Sequence, residues 1–281
     1  MTESVDAALA RAARALGDAR ALLVTAGAGM GVDSGLPDFR GDQGFWKAYP
    51  PYERLGLSFV DAANPAHFDD DPAFGWGFYG HRTNLYRRTV PHAGFGILRT
   101  WAERFQLPLF VVTSNVDGQF QKAGFAPDAV LEVHGSIHHL QCTTPCSEAI
   151  WPNEERFEID EATMRSRQVP RCPRCGAVSR PNILMFGDAS WVDARTAAQR
   201  DRFETFLREV DDRRLVVVEM GAGTGVPTIR MTSERLGRRG DAFVVRLNPR
   251  EPDVPRPHLG IAAGALEGIA GIERALTHPS R

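Results

Sequence analysis

Five short apolar runs recur along the chain, and longer segments with helical periodicity lie between them. The runs span residues 21–25, 109–113, 129–133, 215–220 and 242–247. Runs of this length that are rich in Val, Leu and Phe indicate strands buried on both faces, as in a parallel sheet. Helical patterns fall between them, at residues 92–104, 194–210 and 227–238. This alternation predicts an α/β fold with a Rossmann-like, doubly wound parallel sheet.

Two stretches do not follow the alternation. Residues 41–89 are rich in aromatic side chains and compatible with helices, whereas residues 136–180 contain all four cysteines. We expect both to form a smaller domain over the carboxyl edge of the sheet, where ligands bind in such folds. The large domain would then consist of residues 1–40, 90–135 and 181–281.

Composition excludes several classes of partner. The 281 residues are 43% hydrophobic, enough for a substantial core, and the net charge of -2 gives no general attraction to nucleic acid or a membrane surface. No run approaches the roughly 18 to 20 apolar residues of a spanning helix. The first residues lack the apolar core of a signal peptide. We expect a soluble, cytoplasmic protein.

A glycine-rich turn follows the first apolar run directly, in the segment Ala21-Leu-Leu-Val-Thr-Ala-Gly-Ala-Gly-Met-Gly31. Small residues there let backbone N–H groups approach a pyrophosphate. Taken alone, such a turn is often only a tight connection. Its continuation, Ser34-Gly-Leu-Pro-Asp-Phe-Arg40, makes a ligand-binding role the stronger hypothesis.

Together these segments resemble the NAD-binding signature of the sirtuins. The resemblance implies that Gly27, Ala28 and Gly29 cradle the phosphates of NAD. It also implies that Phe39 covers the nicotinamide site. It further assigns Asp38 and Arg40 to cofactor binding.

A second block, Thr113-Ser-Asn-Val-Asp-Gly118, follows another predicted strand. It resembles the sirtuin motif whose Asn and Asp, here Asn115 and Asp117, line the nicotinamide pocket. The family has a glutamine where Ser114 stands, which leaves its ribose contacts open. The alternative is that Asn115 and Asp117 are ordinary turn residues, since both side chains mimic backbone turns.

His134 leaves a predicted strand and enters a glycine turn, as in the catalytic His-Gly pair of the sirtuins. A single histidine is more often structural than catalytic. However, a neutral imidazole is the natural base for a ribose hydroxyl near pH 7, and the end of a strand points it into the cleft. We therefore predict that His134 is the catalytic base.

The four cysteines form two pairs, Cys142-x3-Cys146 and Cys172-x2-Cys175. Each pair is able to place two sulfurs on one tetrahedral zinc ion. Four thiolates close the coordination sphere, so the zinc would be structural and not catalytic. The alternative, four free buried thiols, is disfavoured by this clustering.

Four further segments resemble sirtuin binding elements. Residues 180–188 resemble the strand against which an acyl-lysine peptide pairs, which is β-augmentation. That resemblance assigns substrate binding to Met185, Phe186 and Gly187. Cofactor binding at the later turns is assigned to Gly221, Gly223, Thr224, Asn248, Ala265 and Leu266.

Tyr79 and Arg82 reproduce the Tyr-x-x-Arg pair with which the desuccinylase branch of the sirtuins recognises acidic acyl groups. A spacing of three places both on one helix face, where phenol and guanidinium would bind one carboxylate together. The alternative is a packed aromatic ring beside a solvated arginine. The sequence leaves both interpretations open.

The resemblance covers residues 20–267 in five ordered blocks. It implies a divergent bacterial NAD-dependent protein lysine deacylase that binds NAD and zinc. Such an enzyme transfers an acetyl, succinyl or malonyl group from lysine and releases nicotinamide and O-acyl-ADP-ribose. An ADP-ribosyl transferase or NAD hydrolase is an alternative, suggested by Ser114 and the atypical 221–227 turn. A non-catalytic NAD-sensing module is another.

Overall fold

The computed structural model describes residues 4–38 and 41–278, without the side chains of residues 41–43. In this part of the chain the strands are β1 (Ala21–Ala26), β2 (Leu109–Thr113), β3 (Val130–Glu132), β4 (Gly135–Cys142), β5 (Trp151–Pro152), β6 (Ile159–Asp160), β7 (Arg165–Ser166), β8 (Ser179–Ile183), β9 (Leu215–Met220), β10 (Phe243–Leu247) and β11 (Leu259–Ile261).

The α-helices of the same residues are α1 (Val5–Gly17), α2 (Gly41–Ala48), α3 (Pro50–Arg54), α4 (Phe59–Ala62), α5 (His67–Asp70), α6 (Pro72–Arg88), α7 (Ala93–Arg104), α8 (Gln119–Lys122), α9 (Ala194–Glu209), α10 (Thr228–Gly237) and α11 (Ala265–Thr277). Two 3₁₀ segments span Ala28–Ser34 and Pro127–Ala129. None of the described helices is long and apolar enough to cross a membrane.

Six of the described strands form one parallel sheet in the order β11-β10-β9-β1-β2-β3. The predicted α/β fold class is therefore confirmed. The five predicted runs become β1, β2, β3, β9 and β10, and their ends differ from the prediction by at most one residue. The sixth strand, β11, was not predicted because three residues are too few to show a pattern.

The order of the strands reverses between β1 and β9. The chain proceeds from β1 to β2 and β3 on one side of the sheet, and from β9 to β10 and β11 on the other. In an open sheet of this kind, a crevice forms outside the carboxyl ends of the two strands at the reversal. The topology thus defines where a ligand site is expected.

Helices cover both faces of this sheet. Leu22 and Val24 pack with α1, α7 and α11 in one cluster, whereas Leu23 packs with α9 and α10 in another. Because neighbouring residues of a strand point to opposite faces, each position is buried by one layer or the other. This explains why β1 and β9 are buried along their whole length.

A separate, aromatic core is formed by residues of α2 to α6 and of β4, β5, β6 and β8. Strands β5, β4 and β8 form an antiparallel sheet, and β6 pairs with β7. Trp76 of α6 stacks on Phe157 with ring centroids 4.8 Å apart and donates a 2.8 Å hydrogen bond to the Ser179 carbonyl. These contacts join the helical segment to the segment that contains the cysteines.

Candidate active site

A cavity of about 880 Å³ lies at the carboxyl ends of β1, β2, β3 and β9. These ends meet at one edge of the parallel sheet, so turns that are distant in sequence come together there. The predicted site residues that line the cavity are Gly27, Ala28, Asp38, Tyr79, Arg82, Ser114, Asn115, Asp117, His134, Met185, Phe186, Gly221, Gly223 and Thr224.

Two glycine turns form one wall of the cavity, at the point where the strand order reverses. The Gly27 N–H donates to the Met220 carbonyl at 2.9 Å, and the Gly29 N–H donates to the Gly221 carbonyl at 3.0 Å. Gly221 has φ +59°, and a Cβ there would lie 2.4 Å from the backbone of Gly29. Only glycine fits, so the turns pack backbone to backbone and present little side-chain bulk to a ligand.

Asn115 and Asp117 follow β2 and face the same cavity. The Asn115 amide donates from Nδ2 to the Gly27 carbonyl at 3.0 Å, which ties this turn to the first glycine turn. Asp117 is only 8% exposed, and its Oδ1 accepts a 2.9 Å hydrogen bond from the Gln119 N–H. Burial raises the pKa of Asp117 to about 6.

His134 follows β3 and is partly buried. Burial lowers the pKa of the imidazole, and a hydrogen bond to the Ser114 backbone acts in the opposite direction. The ring is therefore neutral at pH 7 and able to accept a proton. The His134 carbonyl accepts a 3.0 Å hydrogen bond from the Leu184 N–H, which holds the 184–186 segment beside it.

Strand β3 is itself held in place by a buried acidic residue. Glu132 is 1% exposed, forms an ion pair with Arg195, and accepts a 3.3 Å hydrogen bond from Gln199 Nε2. Its backbone N–H donates to Gln199 Oε1 at 3.1 Å. These contacts with α9 fix the strand end two residues before His134.

Tyr79 and Arg82 lie on α6 and line the same cavity. Arg82 is 7% exposed, so the alternative of a solvated arginine is wrong. Its guanidinium carbon lies 5.7 Å from the ring centroid of Tyr79. Arg82 donates hydrogen bonds from Nε and Nη2 to the Tyr86 hydroxyl, at 3.0 and 2.7 Å. Burial raises the pKa of Tyr79 to about 12.

Some predicted site residues lie elsewhere. Asn248 is fully buried, donates from Nδ2 to the Ala222 carbonyl at 2.9 Å, and accepts the N–H groups of Arg250 and Glu251 at Oδ1. These hydrogen bonds join the turn after β9 to the turn after β10. Phe39 and Arg40 lie outside the described residues. The other predicted residues that are not among those lining the described cavity are Gly29, Gly187, Ala265 and Leu266.

The cavity also contains residues that the sequence analysis missed. Arg250 Nη2 lies 3.4 Å from Asp38 Oδ2, and Glu251 Oε1 accepts a 2.7 Å hydrogen bond from the Thr224 hydroxyl. Both follow β10 at the carboxyl edge, a position that is a usable signal for ligand contact. Tyr86 was missed as well, although its spacing of four from Arg82 places the two on one helix face.

The four cysteines form a compact cluster away from the cavity. Their Sγ atoms all lie within 4.8 Å of one another, and both the Cys142–Cys175 and the Cys146–Cys172 Sγ pairs are 3.7 Å apart. A tetrahedron with Zn–S bonds of about 2.3 Å has sulfurs roughly 3.8 Å apart. The donor set and its geometry therefore fit a zinc ion with four thiolate ligands.

The sequence model of the Sir2 family matches residues 27–211, which is more than half of the chain. The chain belongs to the Sir2 family. A relative from Caldanaerobacter subterraneus, named NAD-dependent protein deacylase 1, is 31% identical over 87% of this chain and 89% of its own length. A deacylase of the same general name from Methylococcus capsulatus is 32% identical over 91% and 90%.

Solved structures of the Sir2 family share the fold. A complex of a Sir2 homologue variant with ADP-ribose superimposes with a TM-score of 0.69, at 24% identity and with coverage of 96% of this chain and 99% of that one. At this level of identity the likeness concerns the fold alone. It extends over the large sheet as well as the smaller, aromatic core.

We predict that one zinc ion stabilises the cysteine segment. Removing it with a chelator, or removing one ligand in Cys172→Ser, should lower the thermal midpoint by about 10 °C or more, since metal binding contributes directly to folding. Metal analysis should find one zinc per chain. Ser147→Ala, within the same segment, is the matched control. Full thermal stability in zinc-free protein contradicts the prediction.

Asp117 should make stability depend on pH. Its raised pKa means that the folded protein holds this proton more tightly, so stability is lost as pH rises from about 4 to about 6. A shift from 3.8 to about 6 corresponds to about 3 kcal/mol. Asp117→Asn keeps the acceptor for Gln119 and should raise the thermal midpoint at pH 8 more than at pH 4.5. An equal gap at both pH values refutes this.

Proposed function

We propose that this chain is an NAD-dependent protein lysine deacylase with a structural zinc ion. The observation that carries the proposal is one cavity in which the His134 imidazole, Asn115 and Asp117 face two glycine turns at the strand reversal. Relatives that cover most of the chain are named NAD-dependent protein deacylases, which supports this activity.

The residues of the cavity suit such a reaction. NAD would supply the ribose that takes up the acyl group, with nicotinamide as the leaving group. The neutral His134 ring accepts a proton from a hydroxyl at its free nitrogen, as a general base does. Asn115 and Asp117 orient polar groups beside it. The side-chain-poor wall formed by Gly27 and Gly221 leaves room for a pyrophosphate.

The 184–186 segment fits a peptide substrate. Leu184 and Phe186 are 38% and 40% exposed, unusually open for large apolar side chains, and both line the cavity. Such an edge beside β8 suits an extended acyl-lysine peptide that pairs through its backbone. The His134 carbonyl accepts a hydrogen bond from the Leu184 N–H. The same backbone contact thus positions both the base and the segment that would bind the peptide.

For the acyl group, we propose a preference for succinyl or malonyl over acetyl. The buried guanidinium group of Arg82 lines the cavity. A carboxylate at the end of an acyl chain would be desolvated there and would pair with this cation. We further propose that the protein is cytoplasmic and that acylated proteins are its partners. We also propose that the chain forms two domains, with residues 41–89 and 136–180 in the smaller one. The separate aromatic core of the smaller unit supports that division.

The activity is tested by incubating the protein with NAD and acylated or unmodified peptides. We expect nicotinamide release that depends on the acyl peptide, and His134→Ala should lower the rate by about 10² or more while NAD binding, measured by calorimetry, persists. His278→Ala, at the exposed end of α11, is the control histidine. Transfer of ADP-ribose to protein without deacylation would instead support the transferase, and binding without turnover the sensing module.

The acyl preference is tested with Arg82→Met, which keeps a long apolar side chain but removes the charge. Wild-type protein should show a higher kcat/KM on succinyl-lysine than on acetyl-lysine peptides. The substitution should reduce that ratio by about tenfold or more, since a charge-assisted contact is lost. Equal wild-type values for both peptides would remove the proposed preference.

A further inference from the structure

One face of α6 presents three polar side chains to the cavity. Tyr79, Arg82 and Tyr86 are spaced by three and four residues, so they follow one another along the same side of the helix. Phe59 lines the cavity together with them. Tyr86 is 5% exposed, and its backbone carbonyl accepts a 3.2 Å hydrogen bond from Gln119 Nε2.

Aromatic rings surround the guanidinium group of Arg82. Their faces attract a cation, but they do not fix the direction of its N–H groups. The hydrogen bonds from Nε and Nη2 to the Tyr86 hydroxyl do fix the plane of the fork. The rings whose centroids lie 5.1 to 5.9 Å from the guanidinium carbon belong to Phe59, Phe78, Tyr79 and Tyr86.

The Tyr86 hydroxyl is left with a proton to donate. A phenol has one O–H donor and accepts through its oxygen lone pairs, and the two hydrogen bonds from Arg82 are both accepted. Burial raises the pKa of Tyr86, so the phenol stays protonated. Two donors from a cation also polarise the hydroxyl and make its proton a better donor.

We propose that Tyr86 determines acyl specificity: its hydroxyl holds the Arg82 guanidinium in position and donates its own proton to the terminal carboxylate of an acidic acyl group. The carboxylate would meet Arg82 and the Tyr86 hydroxyl together, which places one acceptor group between two donors. This inference rests on the proposed deacylase function. It adds a third residue to the Tyr79 and Arg82 pair.

Tyr86→Phe tests the proposal because it keeps the ring and its packing but removes the hydroxyl. We expect KM for a succinyl-lysine peptide to rise by about tenfold with a smaller change in kcat, so that the succinyl-to-acetyl ratio of kcat/KM falls. Tyr52→Phe is the matched control. Its hydroxyl is buried in the same aromatic core and has no hydrogen-bond partner among the described residues, so the ratio should not change.

Two results would overturn the role of Tyr86. One is an unchanged ratio in Tyr86→Phe, and the other is an equal loss on both peptides, which would indicate a structural role alone. Calorimetry measures the affinity for both peptides without requiring turnover. It therefore distinguishes failure of the Tyr86 inference from failure of the proposed deacylase activity. If wild type binds succinyl peptide without turnover, a weaker affinity in Tyr86→Phe still supports the inference, and an equal affinity, or no binding to wild type, refutes it.

Discussion

The contact on which the site depends is the backbone packing of two glycine turns where the strand order reverses. Gly221 approaches Gly29 so closely that no side chain fits between them, and their hydrogen bonds join the end of β1 to the end of β9. A side chain here would separate the turns or fill the crevice. The cavity therefore exists because the sequence supplies glycine at both strand ends.

Short hydrogen-bonded links then set the positions of the polar groups that share the cavity with this wall. Asn115 is tied to the first glycine turn through the Gly27 carbonyl, and His134 is tied to the 184–186 segment through the Leu184 N–H. Burial then sets the protonation states, since it lowers the pKa of His134 and raises that of Asp117 to about 6. A neutral imidazole and a weakly acidic carboxyl group in one cavity result from the burial of these two residues in the cleft.

The sequence predicted the sheet well because burial on both faces gives each strand a continuous apolar run, as in β1 and β9. Most of the predicted cofactor- and substrate-binding residues line the cavity, since parallel strands bring their carboxyl ends together at one edge of the sheet. The sequence did not predict the hydrogen bonds of the Asn248 side chain to backbone groups of Ala222 and Arg250, because hydrogen bonds across turns leave no periodic signal. The contact between Tyr86 and Arg82 was missed because it depends on the rotamer of Arg82.

The central claim is that His134 stands beside the sugar of a nucleotide bound on the glycine turns. The most direct measurement is a crystal structure of the protein with a non-hydrolysable NAD analogue and an acyl-lysine peptide. The account predicts an imidazole nitrogen within about 3.2 Å of a ribose hydroxyl, with the pyrophosphate against the turns at Gly27 and Gly221. A ribose bound far from His134, or a cleft that admits no nucleotide, would contradict it.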